Sequence, residues 1–187
     1  MFNYESSIRE TDKFRKPHNY QIIFPNFFLT KPKNILEIGT ASGGFAKFLK
    51  DNNIGEWIVG ADVVKEQVSH HIPSDLTWGR LFDDFFVGDA MSQEFKDWIA
   101  TKEYRFDLIH EDASHTLEMQ QHMISTCDTL LSENGVYITE DIGSYMNAKA
   151  IIRSVPTALR QYAYIADLTD SIGDPYDMIV VVDKRRL

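Results

Sequence analysis

One cysteine, Cys127, is all the sequence contains. An intramolecular disulfide is therefore excluded, and so is a zinc centre built on several thiolates. Cys127 falls within an amphipathic helical pattern, which predicts a small buried hydrophobe. Long apolar runs are missing too. No stretch approaches the ~20 residues of a membrane span, and the opening MFNYESSIRETDKFRK has no apolar core of a secretory leader. A soluble, cytoplasmic protein with no membrane partner is expected. Positive charge is the third scarcity: 19 Lys and Arg against 28 Asp and Glu leave a net charge of -9. The basic residues are scattered apart from Lys184, Arg185 and Arg186. Without a clustered positive field, binding to nucleic-acid backbone is not expected. No internal repeat, low-complexity tract or linker interrupts the chain.

What is present suits one globular domain over residues 1–187, with 1–30 as lead-in or lid helices. The chain is 43% hydrophobic and 12% aromatic, and at this length it can bury roughly 70% of its unfolded surface without a staple. Strand and helix patterns alternate. Apolar runs at Asn34–Ile38, Trp57–Asp62, Phe85–Asp89, Arg105–Ile109 and Gly135–Thr139 read as strands. Between them, helical spacing covers Phe45 to Leu49, Val63 to about His71, Gln93 to Ala100, and Leu117 to Leu131. The last of these is expected to stop before the helix-ending Glu133-Asn134-Gly135. A helix near Ala148 to Leu159 follows. Tyr162 to Leu168 and Asp177 to Val182 have no helix between them and should pair as a hairpin. Such βα alternation predicts an α/β fold: a mostly parallel seven-stranded sheet, a C-terminal antiparallel hairpin, and helices on both faces.

In such folds ligands sit beyond the carboxyl ends of the strands. Here strand after strand ends in a carboxylate: Glu37, Asp62, Asp89, Asp112 and Asp141. One acidic strand end is unremarkable, but a series of them suggests a lined cleft. The run ILEIGTASGGF places Gly39, Thr40 and Gly43 in the turn after the first strand, where glycine permits positive φ and close approach of a ligand. A dinucleotide fingerprint would need G-x-G-x-x-G, and Ala41 stands at its middle glycine. Glu37 would repel a pyrophosphate and suits a cationic ligand better. Asp62 is placed to accept from ribose hydroxyls, whereas Asp89 reads either as a ligand contact or as a helix N-cap before Met91.

ILEIGTASGG, then VGAD, then VGDA resembles the class I S-adenosylmethionine-dependent methyltransferases, whose fold is Rossmann-like. The resemblance implies Glu37, Gly39, Thr40 and Gly43 around the methionine part, Asp62 at the ribose, and Asp89 with Ala90 at the adenine. IHEDASHTLEMQQHMISTCDTLLSENGVYITEDI is similar to a stretch of the metal-dependent macrocin- and mycinamicin-type sugar O-methyltransferases. TDKFRKPHNYQIIF, with Thr11, Asp12, Lys13, His18 and Tyr20, resembles the lead-in of the same group. Together these matches run from about residue 11 to 145. They imply Mg²⁺ held by Asp112, Glu140 and Asp141, with His115 as the base that takes a proton from a small-molecule hydroxyl. A hard divalent ion prefers oxygen ligands, and coordination acidifies a bound hydroxyl.

The residues themselves agree: adjacent strands four and five end at Asp112 and Glu140-Asp141, so these carboxylates can converge. His115 is expected on the first turn of the next helix. Simpler roles stay open, since a lone His after a strand is often a cap, and Glu140 and Asp141 could serve a helix N-terminus. Glu111 is read as a supporting residue and His110 as structural, while Trp57, Trp78 and Trp98 read as core or lid. The segment from Pro73 to Asp84 is expected to contribute to a substrate lid. Two rival functions share the fold: a cephalosporin hydroxylase-like enzyme, and a protein that holds the cofactor without turnover. A homo-oligomer is compatible with the sequence, which names no particular acceptor.

Overall fold

Seven strands form a single sheet in the order β3-β2-β1-β4-β5-β7-β6. They are β1 (Asn34–Ile38), β2 (Trp57–Asp62), β3 (Asp84–Val87), β4 (Phe106–Glu111), β5 (Leu131–Thr139), β6 (Ala163–Asp167) and β7 (Met178–Asp183). This computed structural model describes residues 2, 4, 11, 13, 14, 18, 20–63, 78–169 and 178–186. β1 to β5 run parallel, while β7 lies antiparallel between β5 and β6. The expected α/β architecture, with a terminal antiparallel pair, is the one observed. β1 and β2 are apolar without alternation because both faces are covered. Successive residues serve opposite cores. Leu36, Val59, Ile109 and Tyr137 pack with α4 (Gln93–Ala100), α5 (Leu117–Ser125) and α7 (Tyr145–Ser154). Ile35, Ile58, Leu108 and Ile138 pack with α1 (Phe24–Phe28) and α2 (Gly44–Asp51), together with Phe14 and Tyr20. Among the described residues, no helix is long and apolar enough to cross a membrane.

Several boundaries differ from the sequence pattern, each for a local reason. The helix expected from Leu117 to Leu131 breaks at Thr126 into α5 and the short α6 (Cys127–Leu130). Thr126 Oγ1 donates to the Met123 carbonyl at 2.9 Å, a competing bond that helps end the first segment. β5 starts at Leu131 rather than Gly135, because its pairing with β4 slips between Phe106 and Leu108 and absorbs Glu133-Asn134-Gly135 as a bulge. α7 begins at Tyr145, where the Ser144 hydroxyl accepts the Asn147 N–H at 3.1 Å. It ends at Ser154, two residues before Pro156, and a 3₁₀ turn, Thr157–Tyr162, carries the rest of the predicted helix. Cys127 is fully buried, and burial pushes its thiol up to about 12. Trp57 is 40% exposed, so it is not a core residue, whereas Trp98 packs on the core beside Phe86 and Phe95. The helix expected from Val63 to His71 lies, apart from Val63, outside the described residues, as does the lid segment up to Thr77. Only the short α3 (Trp78–Leu81) and the residues that follow it are described there.

Candidate active site

Because β1 to β5 are parallel, their carboxyl ends share one edge, and a cleft of about 730 Å³ opens there. Its walls bring together Glu37, Gly39, Thr40, Asp62, Asp89, Ala90, Asp112, His115 and Asp141, with Lys13 from the N-terminal segment. Two residues expected in the site stand behind this wall. Gly43 is the N-cap of α2 with φ 76°, and Glu140 points into a buried charge cluster.

The turn after β1 is fixed by backbone. Gly39 has φ +82°, and a Cβ there would lie 2.2 Å from the Asp112 carbonyl oxygen. Only glycine lets the turn lie this close to the end of β4. Asp62 Oδ2 accepts the N–H groups of Thr40 at 2.9 Å and Ala41 at 3.0 Å, which holds the turn against the end of β2. Ala41 sits at φ 43° within it. Glu37 is buried, its Oε2 has no hydrogen-bond partner, and burial raises its carboxyl well above the usual range. An unpaired carboxylate oxygen at the wall of a cleft suits a cationic ligand group, such as an ammonium. Asp89 Oδ1 accepts the Met91 N–H at 2.8 Å, while the N-cap of α4 is Ser92, whose hydroxyl accepts from Phe95. The N-cap role weighed for Asp89 thus falls to Ser92; Asp89 closes a turn ahead of the helix and borders the cleft.

The opposite end is built from side-chain charge. His115 is not on the first turn of α5. Thr116 takes the N-cap and accepts the Met119 N–H, which leaves His115 in the preceding loop at φ 55°. From there its Nδ1 lies 3.3 Å from Asp141 Oδ2 and 3.9 Å from Asp112 Oδ1. Asp141 itself has φ 51°. Of the five non-glycine residues with positive φ among those described, Ala41, His115 and Asp141 line this cleft. Strained backbone of this kind, of order 1–3 kcal/mol per residue, tends to gather at functional sites.

Asp112, His115 and Asp141 offer ligand atoms within 4.8 Å of one another. Glu140 does not join them. Its Oε2 accepts from Lys13 Nζ at 2.8 Å, and its Oε1 contacts His110 Nε2. Lys13 Nζ also lies 2.5 Å from Asp112 Oδ2. The ligand set Asp112, Glu140 and Asp141 expected for a divalent ion is therefore divided, with an ammonium between its first two members. Burial pushes Glu140 up to about 7 against the opposing pull of Lys13, and it raises Asp112 likewise. Glu111 is buried and pushed up to about 8, and its Oε1 accepts the Ala113 N–H at 3.2 Å, steadying the loop that carries Asp112.

Lys13, Tyr20 and His110 had no site role in the sequence analysis. Tyr20 donates to Asp141 Oδ1 at 3.2 Å, and the His110 ring packs at a tilt against Phe45 with 4.4 Å between ring centres. The only signal that could have found Lys13 and Tyr20 was the lead-in TDKFRKPHNY, because a single lysine in an aperiodic segment has no pattern of its own.

A model of the methyltransferase domain family matches residues 13–169. No curated protein matches the chain by sequence. Among solved structures, MycE methyltransferase from the mycinamycin biosynthetic pathway, in complex with Mg and SAH, is similar at 18% identity and a TM-score of 0.67. The likeness covers 95% of this chain but 53% of MycE, so the chain spans about half the length of that relative. An O-methyltransferase from Bacillus cereus, in complex with SAH, is similar at 17% identity and a TM-score of 0.59, over 95% of this chain and 86% of that one. At these identities the likeness shows a shared Rossmann-like fold. The family match covers most of the sheet and the whole cleft edge, and by it the chain belongs to the methyltransferase domain family.

Proposed function

We propose that the chain is an S-adenosylmethionine-dependent O-methyltransferase acting on a hydroxyl of a small molecule, with a sugar as the acceptor class. One observation carries this reading: the buried, unpartnered Glu37 oxygen and the carboxylate-flanked His115 face the same cleft. The first suits the cationic methionine part of the cofactor, and the second suits a base for the acceptor. Bound there, S-adenosylmethionine would supply a methyl group on a positively charged sulfur.

The chain's own residues would do the rest. The Gly39 turn and Asp62 would seat the nucleoside and methionine parts, so that the methyl group faces His115. Holding the acceptor oxygen in line with the breaking carbon–sulfur bond replaces a bimolecular encounter with a positioned one. His115 would take the hydroxyl proton as the acceptor oxygen receives the methyl group, whose bond to sulfur would break as the new bond forms. Asp141 and Asp112 would orient the ring and lie beside its new charge. The expected set of Asp112, Glu140 and Asp141 does not fit Mg²⁺, because both oxygens of Glu140 are engaged by Lys13 and His110.

The sugar acceptor and the O-methyl outcome draw support from the residue resemblance and from two neighbours. MycE has been seen with Mg, SAH and Mycinamycin VI, and the Bacillus cereus protein is an O-methyltransferase. The direct experiment offers radiolabelled S-adenosylmethionine and a panel of sugars and phenols to the full chain. Label transferred to a hydroxyl, and lost in His115→Ala, is the expected result. Transfer to nitrogen, or transfer undiminished in that variant, would contradict it.

A further inference from the structure

Lys13 lies at the reactive end of the cleft, yet the proposed transfer gives it no task. It is only 4% exposed. Its ammonium bridges the ends of two adjacent parallel strands, 2.5 Å from Asp112 Oδ2 after β4 and 2.8 Å from Glu140 Oε2 after β5. A divalent ion shared by Asp112 and Glu140 would compete for these oxygens. Glu140 has no second oxygen to offer, since Oε1 contacts His110, a fully buried ring packed on Phe45. A singly and a doubly charged cation a few ångströms apart in a buried site repel strongly. At this pair of carboxylates, ammonium and metal ion are therefore alternatives.

The backbone keeps the ammonium there. The Lys13 carbonyl accepts the Tyr20 N–H at 3.0 Å, and Tyr20 in turn donates its hydroxyl to Asp141. Phe14, the next residue, is buried against Phe48 with 4.3 Å between ring centres. The position of Lys13 is thus tied to a core on one side and to the carboxylates on the other.

We propose that Lys13 is the resident cation of the reactive end, holding Asp112 and Glu140 where a divalent ion would otherwise bridge them, so that methyl transfer runs without one. The inference rests on the transfer proposed above. In it Lys13 is a positioning residue: it fixes Asp112, which with Asp141 flanks His115. Proton and methyl group follow the path already given, and the lysine exchanges neither.

The test titrates the full chain with Mn²⁺ as probe, in the presence of S-adenosylhomocysteine, and reads free ion by electron paramagnetic resonance. Wild type should show no binding up to about 1 mM, and Lys13→Arg, which keeps the charge, should match it. Lys13→Met should bind Mn²⁺ at least about tenfold more tightly, and adding Asp112→Asn should remove the gain. Wild-type binding tighter than about 0.1 mM that is lost in Asp112→Asn would overturn the proposal. So would a Lys13→Met protein that binds no better than wild type. If Lys13→Met loses its cooperative melt, the other two titrations decide: silence in both supports the proposal, and binding in either overturns it. Failure of the cofactor reading is seen separately, as absent S-adenosylhomocysteine binding in the same samples.

Discussion

At the glycine turn the cleft is shaped by main chain. Gly39 approaches the Asp112 carbonyl, Asp62 collects the N–H groups of Thr40 and Ala41, and the buried Glu37 Oε2 has no hydrogen-bond partner. At the reactive end, some residues further along the same strand edge, the shape comes from side chains. Lys13 bridges Asp112 and Glu140, Glu140 also contacts His110, and His115 stands between Asp112 and Asp141. The contrast teaches how each end can fail. A backbone-defined turn fails by steric clash, all at once. A charge-defined cluster fails by leaving a partner uncompensated, and its cost depends on pH.

The sharpest break in that contrast is Gly39→Ala. A Cβ driven to within 2.2 Å of a backbone oxygen, at positive φ, cannot be absorbed by side-chain motion. We expect a loss of at least about 3 kcal/mol in stability and no measurable cofactor binding, read by thermal melting and calorimetry. His115→Ala probes the other end. Turnover should fall by about 100-fold or more while cofactor affinity stays within about threefold, because the ring borders the acceptor rather than the glycine turn. Loss of both would make the histidine structural.

Glu111→Gln tests the pH dependence of the charged end. A buried carboxyl held at about 8 binds its proton more tightly folded than unfolded. The folded state then carries more protons between the ordinary carboxylate range and pH 8, so stability falls as pH rises through that window and levels off above it. Glu140, pushed up to about 7, adds to the same slope. The glutamine keeps an oxygen for the Ala113 N–H but cannot ionise. It should flatten the decline and stabilise the protein by roughly 2 kcal/mol above pH 8, measured as melting temperature against pH. A slope unchanged from wild type would count against a buried, protonated Glu111. The smallest expected effect is Asp62→Asn, which leaves one amide oxygen to accept the Thr40 and Ala41 N–H groups but loses the charge beside the turn. About tenfold weaker cofactor binding, or ~1.4 kcal/mol, is expected, with the melt nearly unchanged.

The sequence disclosed these two ends unequally. β1 and β2 were legible to the residue because strands buried on both faces must be continuously apolar, and the glycine turn follows where such a strand stops. Asp112, His115 and Asp141 stood out as polar residues after apolar runs, and the structure brings them within 4.8 Å of one another. Their local conformations were not legible, since which residue caps α5 depends on Thr116 outcompeting its neighbours. The break at Thr126 and the bulge at Glu133-Asn134-Gly135 likewise arise from competing hydrogen bonds that periodicity does not register. Glu140 looked equivalent to Asp141 in the sequence EDI. They differ because successive residues at a strand's end turn opposite ways: one toward His110 and Lys13, the other toward the cleft. Lys13 was hidden for a different reason, since a bridge spanning 99 and 127 positions has no local signature.

Calorimetric titration of the full chain with S-adenosylmethionine tests the cofactor end most directly. Saturable binding in about the micromolar range, abolished by Gly39→Ala and weakened by Asp62→Asn, is the result we expect. Absence of any binding at about millimolar ligand would contradict it.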